Sequence, residues 1–166
     1  MDKEIYDLSE RLGMALKSNG MLLTTAESCT GGWISQAVTM VPGSSKWFDC
    51  GFVTYTNRSK HEVLGVRSTT LQDDGAVSEL TVIEMAEGAL QRSAAHCSVA
   101  VSGIAGPDGG SASKPVGTVW LAIADKQGKT QAWRLNFQGD RDQVRRQTVL
   151  AALRALLDRV TQPQSV

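Results

Sequence analysis

The sequence predicts an α/β protein, a three-layer α/β/α sandwich around a mixed, mostly parallel sheet with one antiparallel hairpin. Short apolar segments typical of strands alternate along the chain with segments whose apolar residues recur at the helical period. Two late strand-like segments flank a turn-like sequence, which predicts the hairpin. The chain has 166 residues, 42% of them hydrophobic, which suits one globular domain. We therefore expect a single domain over residues 1–166, with a disordered tail from about residue 161 to 166.

The N-terminal part of the chain predicts a helix, a strand and a second helix. Apolar residues have helical spacing through residues 3–19, and Gly20 stands where a glycine commonly ends a helix. The apolar residues 21–25 then predict a buried strand. A glycine-containing turn over residues 27–32 leads from this strand into a helical pattern over residues 33–41.

The middle of the chain predicts a second strand and two helices. β-branched and aromatic residues dominate residues 50–56, which is typical of a strand. Asn57 is the expected N-cap of a short helix that carries Lys60. Ser78 has the residue type of an N-cap, and the apolar residues of 79–90 follow the helical period, so a further helix is expected there.

The C-terminal part predicts three more strands and a long helix. Residues 98–102 are small and mostly apolar, as in a buried strand, and a loop rich in glycine, serine, proline and aspartate follows over residues 105–115. Residues 119–124 and 131–137 are the two strands of the predicted hairpin. Residues 140–159 carry apolar side chains on or near one helical face and predict an amphipathic helix.

Composition excludes several classes of protein. Lys and Arg total 17 and so do Asp and Glu, whereas proteins that bind nucleic acids or membrane surfaces are usually basic. The sequence has no apolar run of about 18 residues and no signal-peptide pattern, so we expect a cytoplasmic protein that binds neither nucleic acid nor membrane. Its cysteines (Cys29, Cys50 and Cys97) lack a Cys-x-x-Cys spacing, and its histidines are His61 and His96, so we expect no disulfide framework and no metal site.

The turn over residues 27–32 is the first candidate binding segment, because ligands of open α/β sheets bind beyond the carboxyl ends of the strands. Its glycines allow a ligand to approach the backbone, and the N–H groups of Thr30, Gly31 and Gly32 are expected to be uncommitted at the helix start. Such a turn can hold a phosphate or an oxyanion. The alternative is a plain capped turn, with Thr30 or Ser28 as the cap.

Ser28 stands where a turn would present a nucleophile, although its neighbours do not match the G-x-S-x-G pattern. Cys29 is a competing nucleophile, but buried cysteines are common, and we expect it in the core or wall. The histidines are poorly placed to activate either residue. Lys60, one helical turn beyond the strand that carries Tyr55, is the natural base if burial lowers its pKa; the alternative is an exposed lysine.

Two arginines and a glycine-rich loop are further binding candidates. Arg141 and Arg145 are four residues apart at the start of the last helix, where they oppose the helix dipole and suit carboxylate or phosphate oxygens. The alternative is an ion pair with an acid such as Asp140 or Asp142. The glycine-rich loop that starts at Gly103 and includes Ala105 follows a buried strand. It either lines the same pocket or is merely flexible.

Several segments of the chain together have the pattern of a known family. They are residues 25–32, 51–55, 75–78, 102–107, 114–119 and 139–141. With these segments in the same order, the chain resembles the CinA C-terminal domain family, and in particular its stand-alone bacterial nicotinamide-nucleotide amidases, from about residue 5 to residue 157. The resemblance implies hydrolysis of the carboxamide of nicotinamide mononucleotide (NMN) to nicotinate mononucleotide and ammonia, within pyridine-nucleotide salvage.

The resemblance also implies roles for single residues. Ser28 matches the family's proposed nucleophile, Lys60 and Tyr55 match the positions expected to activate it, and Arg145 matches an active-site arginine. The implied chemistry is acyl transfer through Ser28, with an oxyanion held by N–H groups of residues 30–32 or 103–105.

The substrate's 5′-phosphate needs a positive subsite, for which Arg141, Arg145 and a glycine loop are candidates. We expect no cofactor and no metal, with NMN as the small-molecule partner and a homodimer as the assembly. The alternative is a catalytically silent paralogue that binds a pyridine nucleotide as a sensor or interaction module. A DNA-associated role has no support in the neutral charge balance.

Overall fold

The structure, a computed structural model, describes residues 1–162, and residues 163–166, most of the predicted disordered tail, lie outside the described residues. Its helices are α1 (Lys3–Ser18), α2 (Trp33–Thr39), α3 (Asn57–Leu64), α4 (Ser68–Asp73), α5 (Glu79–Gln91) and α6 (Arg141–Thr161). Its strands are β1 (Leu23–Glu27), β2 (Phe48–Val53), β3 (Cys97–Gly103), β4 (Thr118–Asp125) and β5 (Thr130–Asn136). Among these described residues, no helix is both long and apolar enough to cross a membrane.

The strands form one mixed sheet in the order β2–β1–β3–β4–β5. β1 pairs in parallel with β2 and β3, whereas β4 is antiparallel to both β3 and β5. This confirms the predicted mixed sheet and its hairpin. The carboxyl ends of β1, β2 and β3 therefore lie at one edge of the sheet, where α/β proteins bind ligands.

Helices cover both faces of the sheet and complete the three layers. On one face α1, α2 and α6 pack against alternate strand residues such as Val99 and Val101. On the other face α3, α4 and α5 pack against the residues between them, such as Ala100 and Ala122. This period of two follows from the pleat of a strand buried on both faces.

The element boundaries differ from the predicted ones where capping contacts decide them. The Met21 N–H donates to the Leu16 carbonyl at the end of α1, so β1 starts two residues later than the predicted strand and reaches Glu27. Thr56, not Asn57, caps α3, because its hydroxyl accepts the Ser59 N–H. The helix α4 was not among the predicted elements, because its mostly polar sequence has no apolar period.

Candidate active site

A cavity of about 250 Å³ opens at the carboxyl edge of the parallel strands. Its wall combines the two residues after β1, the segment after β2 with α3, the turn before α5, the end of β3 with the loop that follows it, and the start of α6. The parallel topology explains why segments so distant in sequence meet here. Of the predicted site residues, the wall includes Ser28, Tyr55, Lys60, Gly103, Ala105 and Arg141.

Ser28 and Lys60 are in direct contact. The Ser28 N–H donates to the Val101 carbonyl, which extends the β1–β3 ladder by one residue and fixes the backbone of Ser28. Lys60 extends from the first turn of α3, and its side chain is completely buried. Its Nζ lies 2.8 Å from the Ser28 Oγ, 2.8 Å from the Thr54 carbonyl oxygen and 3.2 Å from the Tyr55 carbonyl oxygen.

This environment lowers the free-energy cost of a neutral amine at Lys60. Burial lowers the pKa of Lys60 from 10.5 to about 8, since a charged ammonium is costly away from water. Within the described residues no carboxylate lies at ion-pair distance from its Nζ to oppose that effect. A neutral amine donates its two N–H groups to the Thr54 and Tyr55 carbonyls and turns its lone pair to the Ser28 hydroxyl. The pair thus has the geometry of a nucleophile and its base.

The competing nucleophile and bases are not arranged for catalysis. The Cys29 side chain is buried in the cavity wall, and burial raises the pKa of its thiol to about 11, so it is protonated at neutral pH. The His61 Nδ1 lies 2.8 Å from the Val66 carbonyl oxygen, and the His96 Nδ1 accepts the Leu22 N–H at 2.9 Å. Both histidines are therefore committed to structural contacts.

Tyr55 and Arg141 meet at the mouth of the cavity. Arg141 donates to the Gly106 carbonyl at 2.8 Å and to the Tyr55 hydroxyl at 3.0 Å. The phenol is thus bound to Arg141, while the contact between Tyr55 and Lys60 involves the Tyr55 main-chain carbonyl. A proton can pass between Ser28 and Lys60 directly, without the Tyr55 hydroxyl.

Arg145 fixes the turn after Ser28. Its guanidinium donates to the carbonyls of Cys29 and Thr30 at 3.0 and 3.1 Å and lies over the Trp33 ring at 5.4 Å. Over the described residues, neither Arg145 nor Arg141 forms an ion pair, so the alternative of a salt bridge to a nearby acid is wrong. Unlike Arg141, Arg145 is not part of the described cavity wall.

The turn itself departs from the predicted anion cradle. Gly31 and Gly32 have positive φ angles of 59° and 101°, which explains the glycines. However, the Gly31 N–H donates to the Ser28 carbonyl, so the expectation that it is uncommitted is wrong. Thr30, Gly31 and Gly32 do not line the cavity, so the structure does not bring these three predicted binding residues to the site.

Glu27 is a residue to which the sequence analysis assigned no role. Neither Thr30 nor Ser28 caps α2, whose N-cap is Gly32 with no side-chain hydrogen bond. The buried Glu27 carboxylate accepts the Ile34 and Ser35 N–H groups instead. The sequence does indicate that α2 needs an outside acceptor. A helix that starts after two glycines has no side chain of its own there to accept its first N–H groups.

Ser102 is a second residue that the sequence analysis missed. It follows Val101, the register partner of Glu27, so Ser102 lies beside Ser28, the residue that directly follows β1. The Ser102 side chain is 1% exposed, lines the cavity and has no hydrogen-bond partner among the described residues. The N–H group of Ala105, also in the wall, is without an acceptor in the described part of the chain, whereas the Cys29 N–H interacts with the Cys29 thiol. The cavity therefore offers free donors beside Ser28.

Comparisons with known proteins agree with this architecture. The sequence pattern of the CinA C-terminal domain matches residues 5–160. The chain is 56% identical over 155 residues to "Nicotinamide-nucleotide amidohydrolase PncC" of Shigella flexneri, and 55% identical to the protein of the same name from Escherichia coli strain K12. Both alignments cover 93% of this chain and 94% of the relative. The crystal structure of "competence/damage inducible protein CihA" from Agrobacterium tumefaciens has a TM-score of 0.93 at 46% identity and covers 96% of each chain.

Proposed function

The chain belongs to the CinA C-terminal domain family, and we propose that it hydrolyses the carboxamide of NMN to nicotinate mononucleotide and ammonia by serine acyl transfer. Relatives that are 55–56% identical carry the name of a nicotinamide-nucleotide amidohydrolase, which supports the predicted nicotinamide-nucleotide amidase. The observation that carries the mechanism is the 2.8 Å contact between the Ser28 Oγ and the Nζ of a buried lysine. This contact supplies an activated nucleophile.

In the first half of the reaction, Ser28 attacks the carboxamide carbon. Neutral Lys60 accepts the hydroxyl proton as the Oγ–carbon bond forms, and a tetrahedral intermediate with an oxyanion results. The free N–H group of Ala105 is the proposed donor to that oxyanion. The Lys60 ammonium then returns its proton to the leaving nitrogen, so ammonia departs and an acyl ester remains on Ser28.

In the second half, water takes the place of ammonia. Lys60, neutral again, accepts a proton from a water molecule that attacks the ester carbon. The ester bond breaks, the proton passes to the Ser28 Oγ, and the nicotinate carboxyl group is released. The same two side chains therefore serve both steps.

The remaining wall residues have chemistry that suits the substrate. Ser102 has a free hydroxyl beside Ser28, where it can hydrogen-bond to the carboxamide. Arg141 brings a guanidinium to the mouth of the cavity, where it can pair with the 5′-phosphate. Tyr55 holds Arg141 through its hydroxyl and Lys60 through its carbonyl, so we assign it a positioning role. Arg145 likewise positions the turn after Ser28.

We also propose that one domain spans residues 1–166 and that the enzyme acts as a cytoplasmic homodimer in pyridine-nucleotide salvage. Light scattering should then give a mass near twice the 17.8 kDa of one chain.

The test is ammonia release from NMN by purified protein in the presence of a chelator. We expect turnover by the wild type, and a loss of at least about 10³-fold in Ser28→Ala and Lys60→Ala, because neither the nucleophile nor its base can be replaced by water. Circular dichroism and thermal unfolding verify that the variants fold. A wild type that binds NMN without turnover would favour the silent paralogue, and full activity in Ser28→Ala would contradict the mechanism.

A further inference from the structure

We propose that Glu27 is a positioning residue for this reaction, because its carboxylate fixes the turn that carries the nucleophile. The proposal rests on the role proposed for Ser28. Glu27 is the last residue of β1 and directly precedes Ser28 in the chain. Its side chain is fully buried and is not part of the described cavity wall, so it acts on the reaction through the backbone rather than by touching the substrate.

The Glu27 carboxylate accepts four hydrogen bonds from the turn and from the first turn of α2. One oxygen accepts the Thr30 hydroxyl at 2.7 Å and the Ile34 N–H at 2.8 Å. The other accepts the Ser35 N–H at 2.9 Å and the Ser35 hydroxyl at 2.8 Å. The Ser35 oxygen is in turn 2.7 Å from the Thr25 hydroxyl. An ionised carboxylate has about four acceptor positions, so all are in use.

The local backbone needs this acceptor. Helix α2 begins after Gly32, whose φ of 101° and lack of a side chain leave the helix without a cap of its own. A buried negative charge is stabilised at a helix N-terminus, where the free N–H groups and the helix dipole are positive. Glu27 therefore joins the end of β1 to the start of α2 across the turn.

Arg145 holds the same turn as a hydrogen-bond donor to its carbonyl groups. It donates to the carbonyls of Cys29 and Thr30, whereas Glu27 accepts from donors in the turn and in α2. The backbone between Ser28 and α2 is thus tied to the sheet and to α6. This constraint sets the position of the Ser28 Oγ opposite the Lys60 Nζ.

The variant Glu27→Gln tests the proposal. Glutamine keeps the shape of the side chain, but its NH₂ group cannot accept, so at least two of the four hydrogen bonds are lost. We expect kcat for NMN hydrolysis to fall about 10- to 100-fold, because a small displacement of a reacting group lowers the rate by a factor of this size. KM should stay within about threefold, because no group in the cavity wall is changed. The pH midpoint set by Lys60 should not move.

A fluorophosphonate that reacts with activated serines gives a second readout that does not need NMN. Its rate of reaction at Ser28 should fall in Glu27→Gln by a factor similar to that in kcat. The control is Glu84→Gln, since the mostly buried Glu84 also accepts hydrogen bonds from an N–H and from side chains, those of Arg67 and Thr70, but lies on α5. We expect it to lower stability with little effect on either rate.

The outcomes separate this proposal from the proposed function. A Glu27→Gln protein with wild-type kcat and wild-type phosphonylation would overturn the positioning role. If the wild type does not hydrolyse NMN but Glu27→Gln still slows phosphonylation, the positioning role stands and the proposed function fails. If Glu27→Gln does not fold, Ser35→Ala removes one donor to the carboxylate and should slow phosphonylation by a smaller factor; an unchanged rate there would overturn the proposal.

Discussion

Lys60 shows how the position of one side chain decides its chemistry. The sequence places it on a short, mostly polar helix, where an exposed lysine is the ordinary outcome. The structure buries it fully, and the Thr56 capping box fixes the start of α3, the helix that carries it. In that position its amine meets two carbonyls and the Ser28 hydroxyl. A group that is usually a surface cation is thus placed to act as the base of the proposed mechanism.

The pH dependence of catalysis follows from this burial. Because burial lowers the pKa of Lys60 to about 8, the neutral amine is the minority form at lower pH. We expect kcat/KM for NMN to rise about tenfold per pH unit below that pKa and to level off above it. Ammonia release measured from about pH 6 to about pH 10 checks this. A rate that is constant over this range, or one that still rises toward the ordinary lysine pKa of 10.5, would contradict the assignment.

Residue type allowed the turn after β1 and Lys60 to be singled out, and the structure brings Ser28 and Lys60 into contact. The roles of nucleophile and base remain predictions, and contacts that depend on backbone direction were not predicted. The N–H direction at Gly31 was not predictable, since its positive φ turns the N–H toward the Ser28 carbonyl. The bonds from Arg145 to the turn carbonyls were not predictable either, since that contact depends on how closely α6 packs on the turn.

At the scale of elements, the contact between α3 and α5 places the base. Leu64, the last residue of α3, packs with Val82, Met85 and other α5 residues in one apolar cluster. Gly88 of α5 lies directly beneath this end of α3, and a Cβ built there would be 2.0 Å from the Leu64 carbonyl oxygen. The absence of a side chain at Gly88 therefore sets how closely α3, with Lys60, approaches the sheet.

The variant Gly88→Ala should lower both stability and activity. Its methyl group pushes the Leu64 carbonyl away, which costs about 1–3 kcal/mol of unfolding free energy and moves Lys60 relative to Ser28. We expect kcat to fall about 10- to 100-fold. Gly13→Ala is the control, because its Cβ would be 2.5 Å from the Trp47 ring on the opposite face of the sheet. Denaturant unfolding and kcat check both; equal loss of kcat in the two variants would contradict the role of α3.

Element types were more predictable than element ends. The hydrophobic period identified the five strands and the long helices, because a strand or helix buried in this fold must show its period in the sequence. The ends depended on capping contacts that join distant atoms, such as the Met21 N–H with the Leu16 carbonyl. Helix α4 shows the limit of the period, since a single short polar helix carries almost none.

At the scale of the whole molecule, topology brings the site together. Parallel strands β1 and β3 end at the same edge, so Ser28 and Ser102 lie side by side although 74 positions separate them. The rule that such edges bind ligands allowed the location of the cavity to be predicted. The spatial order of the strands was not predictable, because several orders satisfy the same hydrophobic pattern.

Burial of Lys60 also links stability to pH. The pKa of Lys60 is about 8 in the folded state and near 10.5 when unfolded, so the unfolded chain binds more protons between these values and stability rises with pH. Relative to Lys60→Met, the wild type should gain about 2 kcal/mol of unfolding free energy between about pH 7.5 and about pH 10. Denaturant unfolding of both proteins at the two pH values measures the difference. A difference that is independent of pH would mean that the amine is not buried as the structure shows.

The most direct test of serine acyl transfer is the mass of the Ser28 peptide after acid quenching during turnover of NMN. The mechanism predicts a wild-type peptide heavier by the mass of NMN less ammonia, with the adduct on Ser28 and absent from Ser28→Ala. Hydroxylamine added before the quench should remove the adduct, because it cleaves acyl esters. Turnover on NMN that shows no adduct at any quench time and proceeds equally in Ser28→Ala would contradict serine acyl transfer.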